Sequence, residues 1–198
     1  NSLARKHGLV VFEDAAEAHG STYKGKQVGS LSTLSDFSFY MAHAVCAGEL
    51  GTLHTDDAEL ASLAESLKGN GRMCCCTVGQ REKGLCPHPT EDNTGLDPRY
   101  ASSVIGFNFK ATEFQGALGI TQIGKLNDIV RKRQENVLYL NEGLARHSDV
   151  LQLPQFSKTV SYLSYPVVIR DISISRKKFR DALTAAGIES RPLFGSVP

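Results

Sequence analysis

The chain has 198 residues, 41% apolar and 22% charged, the composition of an ordinary globular protein, which excludes a disordered or fibrous polypeptide. Its 22 basic and 21 acidic residues are spread along the sequence and leave a formal charge of +1, too weak a field to draw nucleic acid or an anionic membrane. No apolar run reaches the ~20 residues that cross a bilayer, and no signal-peptide pattern opens the chain.

The opening LARKHGLVVFED reads as a helix end running into a strand, and the closing RPLFGSVP shows no terminal element; an internal piece of a longer protein is expected. Leu9 to Phe12 is apolar and β-branched, bounded by Gly8 and by Glu13 and Asp14. It predicts a buried parallel strand ending at Asp14, and ligands of open α/β sheets gather at such ends. YKGKQVGS, with Gly25 and Gly29, predicts the turn of a short hairpin. Phe37 to Met41 predicts a further strand and GTLHTDD another, closing where Asp56 or Asp57 can cap a helix. That helix is AELASLAESLKGNG: Leu60, Leu63, Ala64 and Leu67 share one face, and Gly69 and Gly71 stop it. From Arg72 to Tyr100 the periodicity vanishes, and a loop that long inside a domain is usually functional or mobile.

Helical spacing returns at Phe114, Leu118, Ile123, Leu126, Val130, Val137, Leu140 and Leu144, with Thr112 as N-cap and Gly119 or Gly124 as the division between two helices. SYLSYPVVIR then predicts a strand, and SRKKFRDALTAAG an amphipathic helix stopped by Gly187. The order predicts a partial large α/β domain over 1–125, a connecting helix over 126–147 and the start of a smaller C-terminal domain over 148–198.

Several residues can carry chemistry. Asp14, at a strand end, can pair with a protonated ring nitrogen of a cofactor or serve as a turn cap, and His19 shares that ambiguity. Ser38 and His43 lie five residues apart across a strand-to-loop transition. A serine there can donate to a phosphate oxygen and a histidine can exchange a proton near neutral pH, although read alone both fit better as polar groups satisfied by backbone. Cys74, Cys75, Cys76 and Cys86, with His88 nearby, suit zinc or an iron-sulfur cluster in residue type but match no standard zinc spacing. Inert or redox-labile loop thiols fit them equally, and Cys46 fits as a small apolar residue. Their clustering suits a reducing cytoplasm better than a disulfide framework, so a cytoplasmic protein is expected.

Together, VVFEDAAEAHGSTYKGKQVGSLSTLSDFSFY, AGELGTLHTDD, IGFNFKATEFQGALGITQIGKL and GIESRPLF resemble the DegT/DnrJ/StrS sugar aminotransferase family, pyridoxal phosphate enzymes of the aspartate aminotransferase fold. The resemblance implies an α/β fold of fold type I: part of the large mixed-sheet domain plus the start of the small C-terminal α/β domain. It makes Asp14 the partner of the pyridine nitrogen and Ser38 a ligand of the cofactor phosphate. It puts Glu17 where the family usually has a glutamine near the cofactor ring. Asn108 would reach the phosphate of a neighbouring subunit, which implies a homodimer with shared active sites. Transaminating members carry, five residues after the serine, the lysine that binds the cofactor covalently; FSFYMAH puts His43 there.

Within the family a histidine at this position marks 3-dehydratases of nucleotide-linked 4-keto-6-deoxyhexoses, which work with pyridoxamine 5′-phosphate in place of a covalently held pyridoxal 5′-phosphate. The expected function is therefore a dehydratase of deoxysugar and surface polysaccharide biosynthesis with His43 as base. Alternatives are a nucleotide-sugar aminotransferase of the same family, and a degenerate member that only dimerises or binds metal. Cys74, Cys76 and Cys86 resemble the thiolates of the branch that holds an iron-sulfur cluster.

Overall fold

The computed structural model describes residues 1–74, 76–85, 95, 97 and 100–193. The chain divides into two compact units, Asn1–Leu126 and Asn127–Pro198. In the first unit run α1 (Ser2–Lys6), β1 (Phe12–Asp14), β2 (Thr22–Tyr23), β3 (Lys26–Gln27), β4 (Leu34–Ser38), β5 (Gly51–His54), α2 (Ala58–Lys68), α3 (Val78–Glu82) and α4 (Glu113–Ile123).

β4 is the middle strand of a mixed sheet of order β1-β4-β5. β1 runs parallel to it with Asp14 opposite Asp36, and β5 antiparallel with Gly51 opposite Ser38. The two parallel strands thus end at the same edge, with Asp14 and Ser38 at their C-terminal limits.

The structure corrects two strand expectations. Leu9 and Val10 lie outside β1 and are 64% and 77% exposed, so the apolar run before Asp14 is not buried. The second strand is Leu34–Ser38, not Phe37 to Met41. After Ser38 the chain leaves the ladder: the Phe39 amide donates to the Leu50 carbonyl (2.8 Å) and the Ala47 amide to the Phe39 carbonyl (2.9 Å), closing a loop. The run stays apolar past the strand because Phe39, Val45 and Ala47 form the buried core, with Phe37, Leu50 and Leu126 packed on it.

Local signals set the other boundaries. β2 and β3 form the expected antiparallel hairpin, and Lys24 and Gly25, at φ 49° and 76°, are the two left-handed residues of its turn. Asp57 caps α2, its carboxylate accepting from the amides of Glu59 (2.9 Å) and Leu60 (3.1 Å). Residues 104–109 fold back on the end of α2: the Phe107 amide donates to the Leu67 carbonyl (2.7 Å) and Phe109 to Lys68 (3.0 Å), while Asn70 donates to Phe107 (2.8 Å). The backbones of Gly71 and Gly106 cross there without room for a Cβ on either. Beside this crossing Arg72 bridges Ser102, Met73 donates to Ala101 (3.0 Å) and Ser103 to Gly71 (3.0 Å).

Thr112 caps α4 with a reciprocal pair: its hydroxyl accepts from the Gln115 amide and Gln115 Oε1 accepts from the Thr112 amide. Gln115 Nε2 also donates to the Gly48 carbonyl (2.6 Å), pinning α4 to the loop after β4. The helix ends at Gly124, not Gly119.

The second unit holds most of α5 (Leu126–Leu144), then β6 (Leu151–Gln152), β7 (Val168–Ile169) and α6 (Arg176–Ala185). β6, which no sequence signal marked, pairs antiparallel with β7. SYLSYPVVIR yields only the two residues of β7, since Pro166 has no N–H for a ladder. Asn141 on α5 donates to the Pro154 carbonyl (3.0 Å) and accepts from the Tyr165 hydroxyl (2.7 Å). Ser175 caps α6, and Gly187, at φ 75°, follows it. Among the described residues no helix is long and apolar enough to cross a membrane.

Candidate active site

Asp14 closes β1 and turns the chain. Its Oδ1 accepts from the Ala16 amide (3.1 Å), the Asx turn a short carboxylate makes at a strand end. The turned segment stays on β4: Ala15 N–H donates to the Asp36 carbonyl (3.2 Å), and Ser38 N–H donates to the Ala16 carbonyl (3.4 Å). Glu17 is thereby delivered beside the end of β4, and Asp14 itself is exposed.

Ser38 Oγ accepts from the Tyr40 amide (3.2 Å), which leaves its hydroxyl proton for another acceptor. The chain then doubles back, His43 N–H donating to the Tyr40 carbonyl (3.0 Å), so that His43 Nδ1 lies 3.3 Å from the Ser38 carbonyl. Nε2 faces Glu17 Oε1 at 3.5 Å, and the Tyr40 ring stands edge-on to the imidazole at 5.5 Å. The His43 side chain is 12% exposed and that of Glu17 44%.

The structure therefore brings together Glu17, Ser38 and His43, with Asp14 at the neighbouring strand end. Asn108 is exposed, its backbone bridged to Gly69 at the end of α2. Cys74 and Cys76 are half-buried; Cys75, Cys86 and His88 lie outside the described residues. Among the described residues no three His, Cys, Asp or Glu side chains are grouped to hold a metal ion.

The donor set fits pyridoxal or pyridoxamine phosphate. An exposed strand-end carboxylate can accept from a protonated ring nitrogen, and a serine whose oxygen already accepts from backbone is left to donate to a phosphate oxygen.

Two contacts escaped the sequence. Glu13 accepts from Gly29 N–H (2.9 Å), Leu31 N–H (3.1 Å) and the Ser32 hydroxyl (3.3 Å), holding the turn before β4. His19 is buried against Phe37 and Phe39, ring centroids 4.8 and 5.0 Å away, and the alternate aromatics Phe37 on β4 and Phe39 just beyond it are the signal for that slot. Burial first, then the nearby His43 and His54, hold the His19 pKa down to about 4. Unfolded, it would protonate near its ordinary 6.5. Stability is thus intact above pH 6.5 and falls as the pH drops toward 4, by about 2 kcal/mol after discounting for solvent screening. Urea denaturation of the full-length protein should show this loss, and His19→Phe should remove it; an equal loss in the variant would assign the acid sensitivity elsewhere.

Comparison with known proteins gives the family and the fold. dTDP-4-dehydro-2,6-dideoxy-D-glucose 3-dehydratase of Saccharopolyspora spinosa is 34% identical over 98% of this chain and 43% of its own length. GDP-perosamine synthase of Caulobacter vibrioides is 32% identical over 97% of this chain and 47% of its own. The fold matches that of E. coli GDP-4-keto-6-deoxy-D-mannose-3-dehydratase, solved with bound hydrated PLP, at a TM-score of 0.81 and 24% identity, over 97% of this chain and 48% of that one. The chain thus spans about half the length of the relatives it matches. With a match running over residues 1–198, the chain belongs to the DegT/DnrJ/EryC1/StrS aminotransferase family.

Proposed function

We propose that the protein containing this chain is a pyridoxamine/pyridoxal phosphate-dependent 3-dehydratase of a nucleotide-linked 4-keto-6-deoxyhexose, a cytoplasmic homodimer serving deoxysugar and surface polysaccharide biosynthesis. The observation that carries the reading is His43, five residues beyond Ser38, with its ring set against the Ser38 carbonyl. An imidazole cannot hold the cofactor covalently as a lysine amine does, and is left to acid–base work.

When bound, the cofactor supplies an amine for the sugar ketone and a protonated ring that draws off electrons. The chain's residues do the rest. Asp14 keeps the ring nitrogen protonated, Ser38 donates to the phosphate, and Asn108 reaches the phosphate in a neighbouring subunit. His43 takes a proton from carbon at Nε2, the nitrogen that does not face the Ser38 carbonyl.

A second reading, a sugar aminotransferase, is supported by the likeness to GDP-perosamine synthase at 32% identity. Incubating the full-length protein with pyridoxamine phosphate and a GDP- or CDP-linked 4-keto-6-deoxyhexose separates the two. Loss of the 3-hydroxyl is expected; a 4-amino sugar that retains it would establish the aminotransferase.

A further inference from the structure

His43 is held between two groups of different chemistry, and one backbone residue organises both. The Ser38 amide anchors the Ala16 carbonyl, and with it the turn that carries Glu17. The Ser38 carbonyl, 3.3 Å from Nδ1, anchors the ring. A carbonyl oxygen only accepts, so Nδ1 carries a hydrogen. On the other side, Glu17 Oε1 lies 3.5 Å from Nε2. With the hydrogen on Nδ1, Nε2 of the neutral ring is the nitrogen that can take up a proton, and the carboxylate beside it sets a negative charge against the positive charge the ring then gains. The separation exceeds the ~2.7–2.9 Å of a tight charge-assisted bond, which leaves Nε2 open to a third group.

We propose that Glu17 is the positioning residue of His43: its carboxylate sets the rotation of the ring and stabilises the imidazolium formed when Nε2 takes up a proton. The identity of the proton donor rests on the dehydratase reading; the contact does not. In that reaction the carbon–hydrogen bond breaks and an N–H bond forms at Nε2. The electron pair released expels the 3-hydroxyl, and the proton departs with it as water. Glu17 balances the positive charge His43 carries between the two events, and the pair ends the cycle as it began.

The test uses the full-length protein labelled with 15N-histidine, without cofactor, the His43 signals being those that vanish in His43→Asn. In the wild type Nδ1 should show as protonated, and Glu17→Gln should shift the Nε2 signal. Glu17→Asp, which keeps the charge on a shorter stem, should restore that signal in part. With cofactor and sugar, Glu17→Gln should lower kcat about 10- to 100-fold at unchanged KM, the pattern of an interaction made in the transition state. Identical His43 signals in the wild type and Glu17→Gln would overturn the proposal. A shifted signal in a protein that yields only amino sugar would uphold the pair and sink the dehydratase reading instead.

Discussion

Replacing His43 with asparagine is expected to lower the rate of 3-hydroxyl loss by at least about 100-fold, the lower end of what a positioned general base contributes. Asparagine keeps a donor near the Ser38 carbonyl, 3.3 Å from Nδ1 in the wild type, but has no nitrogen that takes up a proton at neutral pH. Affinity for pyridoxamine phosphate should stay within about threefold, because the contacts proposed for Asp14 and Ser38 do not run through the imidazole. Single-turnover kinetics with the nucleotide sugar measures the first quantity, and equilibrium titration with the cofactor the second. A variant retaining a tenth or more of the wild-type rate would remove His43 from the proton transfer.

Gly71→Ala should cost about 3 kcal/mol of stability, from two independent sources. Gly71 sits at φ +72°, a conformation that penalises an L side chain by about 1 kcal/mol. Its new Cβ would also overlap the Val104 carbonyl, and backbone cannot yield as a flexible side chain can, which adds about 2 kcal/mol. Gly25→Ala is the control: its φ is +76° but nothing lies within 4 Å of the added carbon, so only the first cost applies. Chemical denaturation of both variants in the full-length protein should separate them by about 2 kcal/mol; equal losses would show that the crossing relaxes. The same substitution should weaken the hold on residues 104–109 and thus on Asn108.

Elements specified by short-range chemistry were legible from the sequence. The Asp57 and Thr112 caps and the Lys24–Gly25 turn each rest on a few adjacent residues, and they stand where the pattern puts them. Strand limits were less legible because an apolar run does not say what it packs against. Phe39 is buried by Val45 and Ala47 beyond the ladder, whereas Leu9 and Val10 are equally apolar and exposed.

The same division holds at the site. Asp14, Ser38 and His43 could be singled out from residue type, spacing and family resemblance. The Glu17–His43 contact could not, since it depends on two turns meeting: the one Asp14 makes with Ala16, and the one that brings His43 back past Tyr40. His19 was ambiguous for a similar reason, its slot being made by Phe37 on β4 and Phe39 just past its end, where the pattern placed the strand three residues late.

The clasp beside Gly71 and Gly106 has an evolutionary consequence. Arg72 and Ser102 are bridged, and Met73 is bonded to Ala101, so the two ends of the stretch between them are held together at one point. Its ends are closed by contacts that owe nothing to its own sequence. Each doubling of such a loop costs only about 0.6 kcal/mol of closure entropy. Insertions and deletions between residues 74 and 100 can therefore be accommodated while Asp14, Ser38 and His43 stay where β1, β4 and the turn after β4 set them, a division of labour by which one scaffold can diversify.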